Sequence, residues 1–196
     1  MIMKKILIIS LLFLLPNLFY PQLRKSIHIK TLIYEIMYSE VLEQPLWVKY
    51  TVFCSSGSVS REGMDFYLND TIKTSDNEDY KNNSYDKGHM APAGDFSCDI
   101  NLLHQTFSYL NCSLQNQELN RTTWRFLESY ERELSKKYKV DILIKCVFSK
   151  KSIKVTGGAT VPDGYYKIIK YGDKTEKYYF KNEKPRTSDF RKFLVK

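Results

Sequence analysis

Histidine is scarce in this chain: His28, His89 and His104 are the only three in 196 residues. Imidazole chemistry is confined to those positions. No CxxC pair occurs among Cys54, Cys98, Cys112 and Cys146, which argues against a zinc ribbon. No apolar run reaches the ~20 residues of a membrane span. No internal repeat or low-complexity linker divides the chain. The cluster Asp76-Asn77-Glu78-Asp79 lacks the glycine and closing glutamate of an EF-hand loop, so residues 69–84 read as a solvated surface loop. Acids are outnumbered: Lys+Arg 30 against Asp+Glu 22 leaves a formal charge of +8 and a pI near 9.1. That balance suits an anionic partner such as nucleic acid, and it serves solubility equally well.

What is present supports one core. A content of 43% hydrophobic and 14% aromatic residues can fill a single sizeable interior, and one domain is expected over residues 23–196. Residues 1–22 read as a secretory leader: Lys4 and Lys5 precede an apolar block from Ile6 to Leu15, which Pro16 and Asn17 break. Phe19-Tyr20-Pro21-Gln22 offers no small-residue cleavage site. The expected location is secreted or periplasmic, without stable membrane association once the leader is removed. Removal takes away two lysines and no acids, lowering the formal charge from +8 to about +6. Export places the cysteines in an oxidising compartment. Four cysteines allow three pairings; Cys98 with Cys112, which flank one short segment, is the bridge expected here, with buried free thiols as the alternative.

The element pattern is α+β. Residues 31–43 are read either as a short strand or as an N-terminal arm, and residues 46–54 as a strand rich in aromatic and β-branched side chains. Residues 107–111 are expected to be extended. Residues 120–137 predict a helix, with Trp124, Leu127, Tyr130 or Glu131, and Leu134 at three- and four-residue steps and four-apart charge pairing among Glu128, Glu131, Arg132 and Lys136. Strands are predicted at 140–148, 152–156 and 165–171, with Gly172-Asp173 turning the chain into a strand through 178–180.

The chemistry concentrates in Tyr85-Asp86-Lys87-Gly88-His89-Met90-Ala91-Pro92. Gly88 removes side-chain bulk beside His89, so that backbone or substrate can approach closely. His28 and His104 read as surface or structural residues. Asn120 stands near the start of the helix, as a cap or as a ligand beside a dipole that favours phosphate. Glu128 lies eight residues on, about 80° round the axis and roughly 12 Å along it, leaning back toward Asn120. It either acts on metal-bound water or makes a salt bridge on the helix face.

These motifs resemble the DNA/RNA non-specific endonucleases. The Asp86-Lys87-Gly88-His89 stretch is similar to their D-R-G-H signature. Phe107-Ser108-Tyr109-Leu110-Asn111, Leu114-Gln115-Asn116, Asn120-Arg121-Thr122-Thr123-Trp124 and Leu127-Glu128 follow in the family's order and near its spacing. Val161-Pro162-Asp163-Gly164-Tyr165-Tyr166-Lys167 is similar to a later family segment. The resemblance implies a ββα-metal (His-Me finger) nuclease fold: a central, mostly antiparallel sheet with a metal-bearing helix. It implies His89 as general base, Asn120 as the single direct protein ligand of Mg²⁺ with Mn²⁺ as a substitute, and Glu128 as the residue orienting metal-bound water. Asn111 would support the site by hydrogen bonding and Arg61 would stabilise the phosphorane. Lys87 and Arg121 would bind substrate, DNA or RNA, through its backbone phosphates.

Two departures stand out. Lys87 replaces the family's arginine, which keeps the charge and loses the bidentate fork. The family's T-G-P after the following strand is absent, with Phe148-Ser149-Lys150-Lys151 in that region. The expected function is a secreted, non-specific phosphodiester hydrolase. The alternatives are a catalytically inactive nucleic-acid-binding homologue and a narrower secreted phosphodiesterase.

Overall fold

The computed structural model describes residues 26–54 and 56–195; the leader expected at residues 1–22 lies outside them. Ser26–Lys30 (β1) and Tyr34–Ser39 (β2) are paired antiparallel, so the segment read as one strand or an arm belongs to a hairpin. Gln44–Thr51 (β3), Val140–Val147 (β6), Gly164–Tyr171 (β7) and Lys174–Lys181 (β8) complete a six-stranded sheet in the order β1-β2-β3-β6-β7-β8, every neighbouring pair antiparallel. Tyr85–His89 (β4) and Cys112–Asn116 (β5) form a separate two-stranded ladder, with His89 opposite Cys112. A long helical segment follows β5 directly. It runs through Gln117–Leu119 (α2), a wide π turn at Asn120–Trp124, and Arg125–Ser135 (α3). A shorter helix, Ile100–Gln105 (α1), stands between the two strands of the ladder.

Period-two alternation decides which face is buried. Ile36 and Tyr38 on β2, Val48 and Tyr50 on β3, Val140, Ile142 and Ile144 on β6, Tyr165 and Ile169 on β7, and Tyr178 and Phe180 on β8 share one core. The long helix lays Trp124 and Leu127 into it, with the Trp124 ring edge-on to Tyr165 at 5.5 Å and to Phe180 at 5.6 Å. One inward position is charged: Lys167 on β7 is fully buried, 2.9 Å from Glu131 of α3 and 4.5 Å from the centre of the Trp124 ring. Gly172, at the first position of the two-residue β7–β8 turn, has φ +49°, a conformation that suits glycine.

Several expectations are corrected. The helix is not continuous α-helix, because the π turn occupies its first part. Two of its charges pair with other elements, Arg132 with Asp95 at 2.9 Å and Glu131 with Lys167, while Lys136 pairs along the helix with Glu133, three residues away rather than four. Residues 107–111 are not an extended strand, since Tyr109–Asn111 is a 3-10 turn capped by Ser108. Residues 152–156 form no strand, only an isolated bridge between Lys154 and Thr160. The disulfide joins Cys54 to Cys98, with Cα atoms 6.1 Å apart, and Cys112 and Cys146 are free. Cys112 is unavailable to Cys98 because it sits buried in β5, its sulfur 3.0 Å from the Tyr80 hydroxyl. The bridge ties the end of β3 to the segment that follows His89, across 44 residues.

Replacing both Cys54 and Cys98 by Ser should lower the unfolding free energy by about 2–5 kcal/mol in urea denaturation. Cys112→Ser should not reproduce that loss.

Candidate active site

His89 ends β4, and its ring is held between aromatic side chains. Phe66 lies at 4.8 Å and Phe107 stands edge-on at 4.9 Å. Nε2 is buried and has no hydrogen-bond partner. Burial, and then the positive charge of Arg61, push its pKa down to about 3, so the ring is neutral over the physiological range. Gly88 is required by its cross-strand neighbourhood: a Cβ there would fall 2.6 Å from Cβ of Gln115. The close approach expected at this glycine is thus made by Gln115 of β5.

The chain beyond His89 is held by Asn111. Its backbone oxygen accepts from Met90 N–H at 2.9 Å and its side-chain oxygen from Ala91 N–H at 2.8 Å. Its Nδ2 donates to the carbonyls of Ala91 and Thr106. The side chain is fully buried, so Asn111 meets backbone and fixes the path of residues 89–91.

A cavity of about 520 Å³ opens in front of His89. Asn120, Arg121, Arg125, Glu128 and Arg132 of the helical segment line it, facing Arg61 and the Pro92–Gly94 turn. Asn120 donates from Nδ2 to Asp86 at 2.9 Å, which turns the amide and leaves Oδ1 as its uncommitted oxygen. Asp86 also takes a forked pair from Arg121, at 2.8 and 2.6 Å, which fixes that guanidinium. Burial raises the pKa of Glu128, opposed by the charges of Lys167, Arg132 and Arg61. Four guanidiniums against one carboxylate make the lining electropositive.

The structure thus gathers five of the seven expected site residues around one cavity: Arg61, His89, Asn120, Arg121 and Glu128. Asn111 lies behind it. Lys87 does not line it; its Nζ donates to Asn77 at 2.6 Å and to Asp65 at 3.3 Å, beside the rings of Phe66 and Tyr109. Sequence reasoning passed over Arg125 and Arg132. The signal was available: Arg121, Arg125, Glu128 and Arg132 recur at steps of four, three and four, which mark one helix face. The pairing partner Asp95, distant in sequence, could not be found that way.

A family model described as "DNA/RNA non-specific endonuclease" matches residues 16–196. This chain belongs to that family. Nuclease EXOG, mitochondrial, of Danio rerio is 32% identical over 108 residues, covering 53% of this chain and 32% of that protein. Nuclease C1 of Cunninghamella echinulata var. echinulata is 35% identical over 112 residues, covering 51% of this chain and 44% of that protein. The chain spans less than half the length of these two relatives. Among solved structures, a chain of the EndoG/EndoGI complex superposes with a TM-score of 0.77 at 25% identity, over 86% of this chain and 80% of that one. The fold is therefore the α+β, ββα-metal nuclease fold, with β4, β5 and the helix after them as its ββα unit.

The direction of the His89 shift sets a pH dependence in this family member. The unfolded imidazole takes up a proton near 6.5 and the folded one only near 3. Between those values the unfolded state binds the extra proton, so stability falls as pH falls. In an NMR titration the His89 ring should not protonate between pH 8 and pH 5; a midpoint near 6.5 would contradict the burial described here.

Proposed function

We propose that this chain is an endonuclease that hydrolyses phosphodiester bonds of DNA and RNA without base specificity, using one divalent metal. The observation that carries this reading is the neutral imidazole of His89, which lines one cavity with Asn120, Glu128 and four arginines. A neutral imidazole at the wall of such a cavity can take the proton from an attacking water.

The residues present fit a hard cation. Among the described residues no three His, Cys, Asp or Glu side chains converge, so a closed cage of such ligands is not built here. Asn120 Oδ1, fixed by Asp86, would hold the ion directly, and Glu128 would accept hydrogen bonds from its waters. Mg²⁺, which keeps most of its water and needs few protein ligands, suits that donor set, with Mn²⁺ as a substitute. When bound, the metal supplies charge stabilisation for the phosphate and leaving oxygens.

The arginines divide the remaining work. Arg121 and Arg132 are fixed by Asp86 and Asp95, whereas Arg61 and Arg125 have no acidic partner among the described residues. Arg61, whose charge reaches both His89 and Glu128, would meet the negative charge that grows on phosphorus. Guanidinium contacts to phosphate carry no sequence information, in keeping with non-specific cleavage. A histidine base supplies ~10²–10⁴-fold, so the metal and the arginines must supply much of the rest. We also propose export, secreted or periplasmic. The leader-like residues 1–22 and the Cys54–Cys98 bridge support it.

Purified protein should nick supercoiled plasmid and degrade RNA, stop in EDTA and recover with Mg²⁺. His89→Ala should lower the rate by about 10²–10⁴-fold with its fold intact. Asn120→Ala should raise the Mg²⁺ concentration needed for half-maximal activity. Equal, metal-independent cleavage by wild type and His89→Ala would sink the mechanism.

A further inference from the structure

A second cavity, of about 450 Å³, is lined by Leu119, Tyr179, Lys181, Lys184, Arg186 and Lys192 among others. Leu119 of this lining immediately precedes Asn120 and Arg121, which line the first cavity, so one helical segment contributes to both. All four cations are exposed, and none pairs with an acid among the described residues. Glu183 is the one acid in the lining.

The wall that carries these charges is anchored at both ends to the ββα unit. Asn182 donates to the carbonyls of Leu114 and Pro162 and accepts from Asn116 N–H at 2.7 Å. Asn116 in turn caps the helix through Glu118 and Leu119. At the other end, the Thr123 hydroxyl donates to the carbonyl of Thr187 at 2.9 Å. Lys184 and Arg186 therefore ride on a segment fixed relative to Asn120. Tyr179, half-buried and tilted against Tyr166 at 4.8 Å, brings an aromatic ring to the same groove. Cations that track a backbone beside an aromatic ring are the components of a sequence-tolerant nucleic-acid groove.

We propose that this groove is a flanking subsite, holding backbone phosphates of the substrate beyond the scissile bond on Lys181, Lys184, Arg186 and Lys192. The assignment rests on the nuclease reading above for its substrate. It adds that long polymers gain affinity from a surface outside the catalytic cavity.

The test is binding of a fluorescent 20-mer duplex in EDTA, by anisotropy, across 50–200 mM salt. Wild type is compared with the triple variant Lys184→Gln, Arg186→Gln, Lys192→Gln, after matching their thermal midpoints. Losing three phosphate contacts should flatten the log–log salt slope by about 2.7, so wild-type affinity falls roughly 40-fold further than the variant's over that interval. In plasmid cleavage the variant should raise KM and leave kcat unchanged. An unchanged slope overturns the proposal, as does a loss confined to kcat. Displacement of the duplex by polyglutamate at equal charge overturns it too, in favour of a general site for acidic chains. Wild type that binds with the steeper slope and never cuts refutes the nuclease reading and leaves the groove standing.

Discussion

The buried pair of Lys167 and Glu131 is the contact on which the site's geometry depends. Both side chains have no solvent exposure, and their charged atoms stand 2.9 Å apart. The contact is an electrostatic one rather than a well-aligned hydrogen bond. Removing two ions from water costs several kcal/mol each, and only a close partner offsets it. Burial pushes the Glu131 pKa up, and the charge of Lys167 opposes it. The Trp124 ring over the ammonium and the Tyr50 hydroxyl on Glu131 complete the environment. An apolar pair could fill the same space with equal stability. What the ions add is register: α3 meets β7 favourably where Glu131 faces Lys167, and that position sets where Asn120 and Glu128 stand.

A second tie starts from the next residue of the helix. Arg132 bonds Asp95, whose carboxylate is completely buried and whose carbonyl accepts from Phe53 and Cys54 N–H. Asp95 lies in the turn that follows His89, close to the disulfide at Cys98. Helix, sheet and histidine segment are thus fastened to one another by two ion pairs and a covalent link. A base and a ligand borne on separate elements need this kind of support, because small displacements of reacting groups cost large factors in rate.

The parts of the site differ in how far they could be read before folding. His89 stood out because so few histidines compete with it and because Gly88 precedes it. The spacing of Asn120 and Glu128 was legible, and so was the helix face that carries Arg125 and Arg132. The π turn was not, since it leaves only one five-residue step, Leu119 to Trp124, at the very start of the helical pattern. Lys87 shows the opposite error. Its place in the motif suggested substrate, yet its ammonium donates to Asn77, from the loop that composition describes only as solvated, and to Asp65. The disulfide was misassigned for a related reason: proximity in sequence favoured Cys112, and the packing of β5 removed it.

By itself the sequence determined the α+β pattern, the strands before and on either side of the Gly172 turn, the helix, and the identity of the groups able to do acid–base and metal chemistry. These follow from local periodicity, turn chemistry and residue type. Only the tertiary structure decided which of those groups share a cavity, which arginines are already paired, that an inward lysine lies beneath the helix, and that four cations gather at a second cavity. Each of these depends on partners far apart in the chain, such as Arg132 with Asp95, Lys167 with Glu131 and Thr123 with Thr187. Their proximity is set by burial and pairing, which no local pattern encodes.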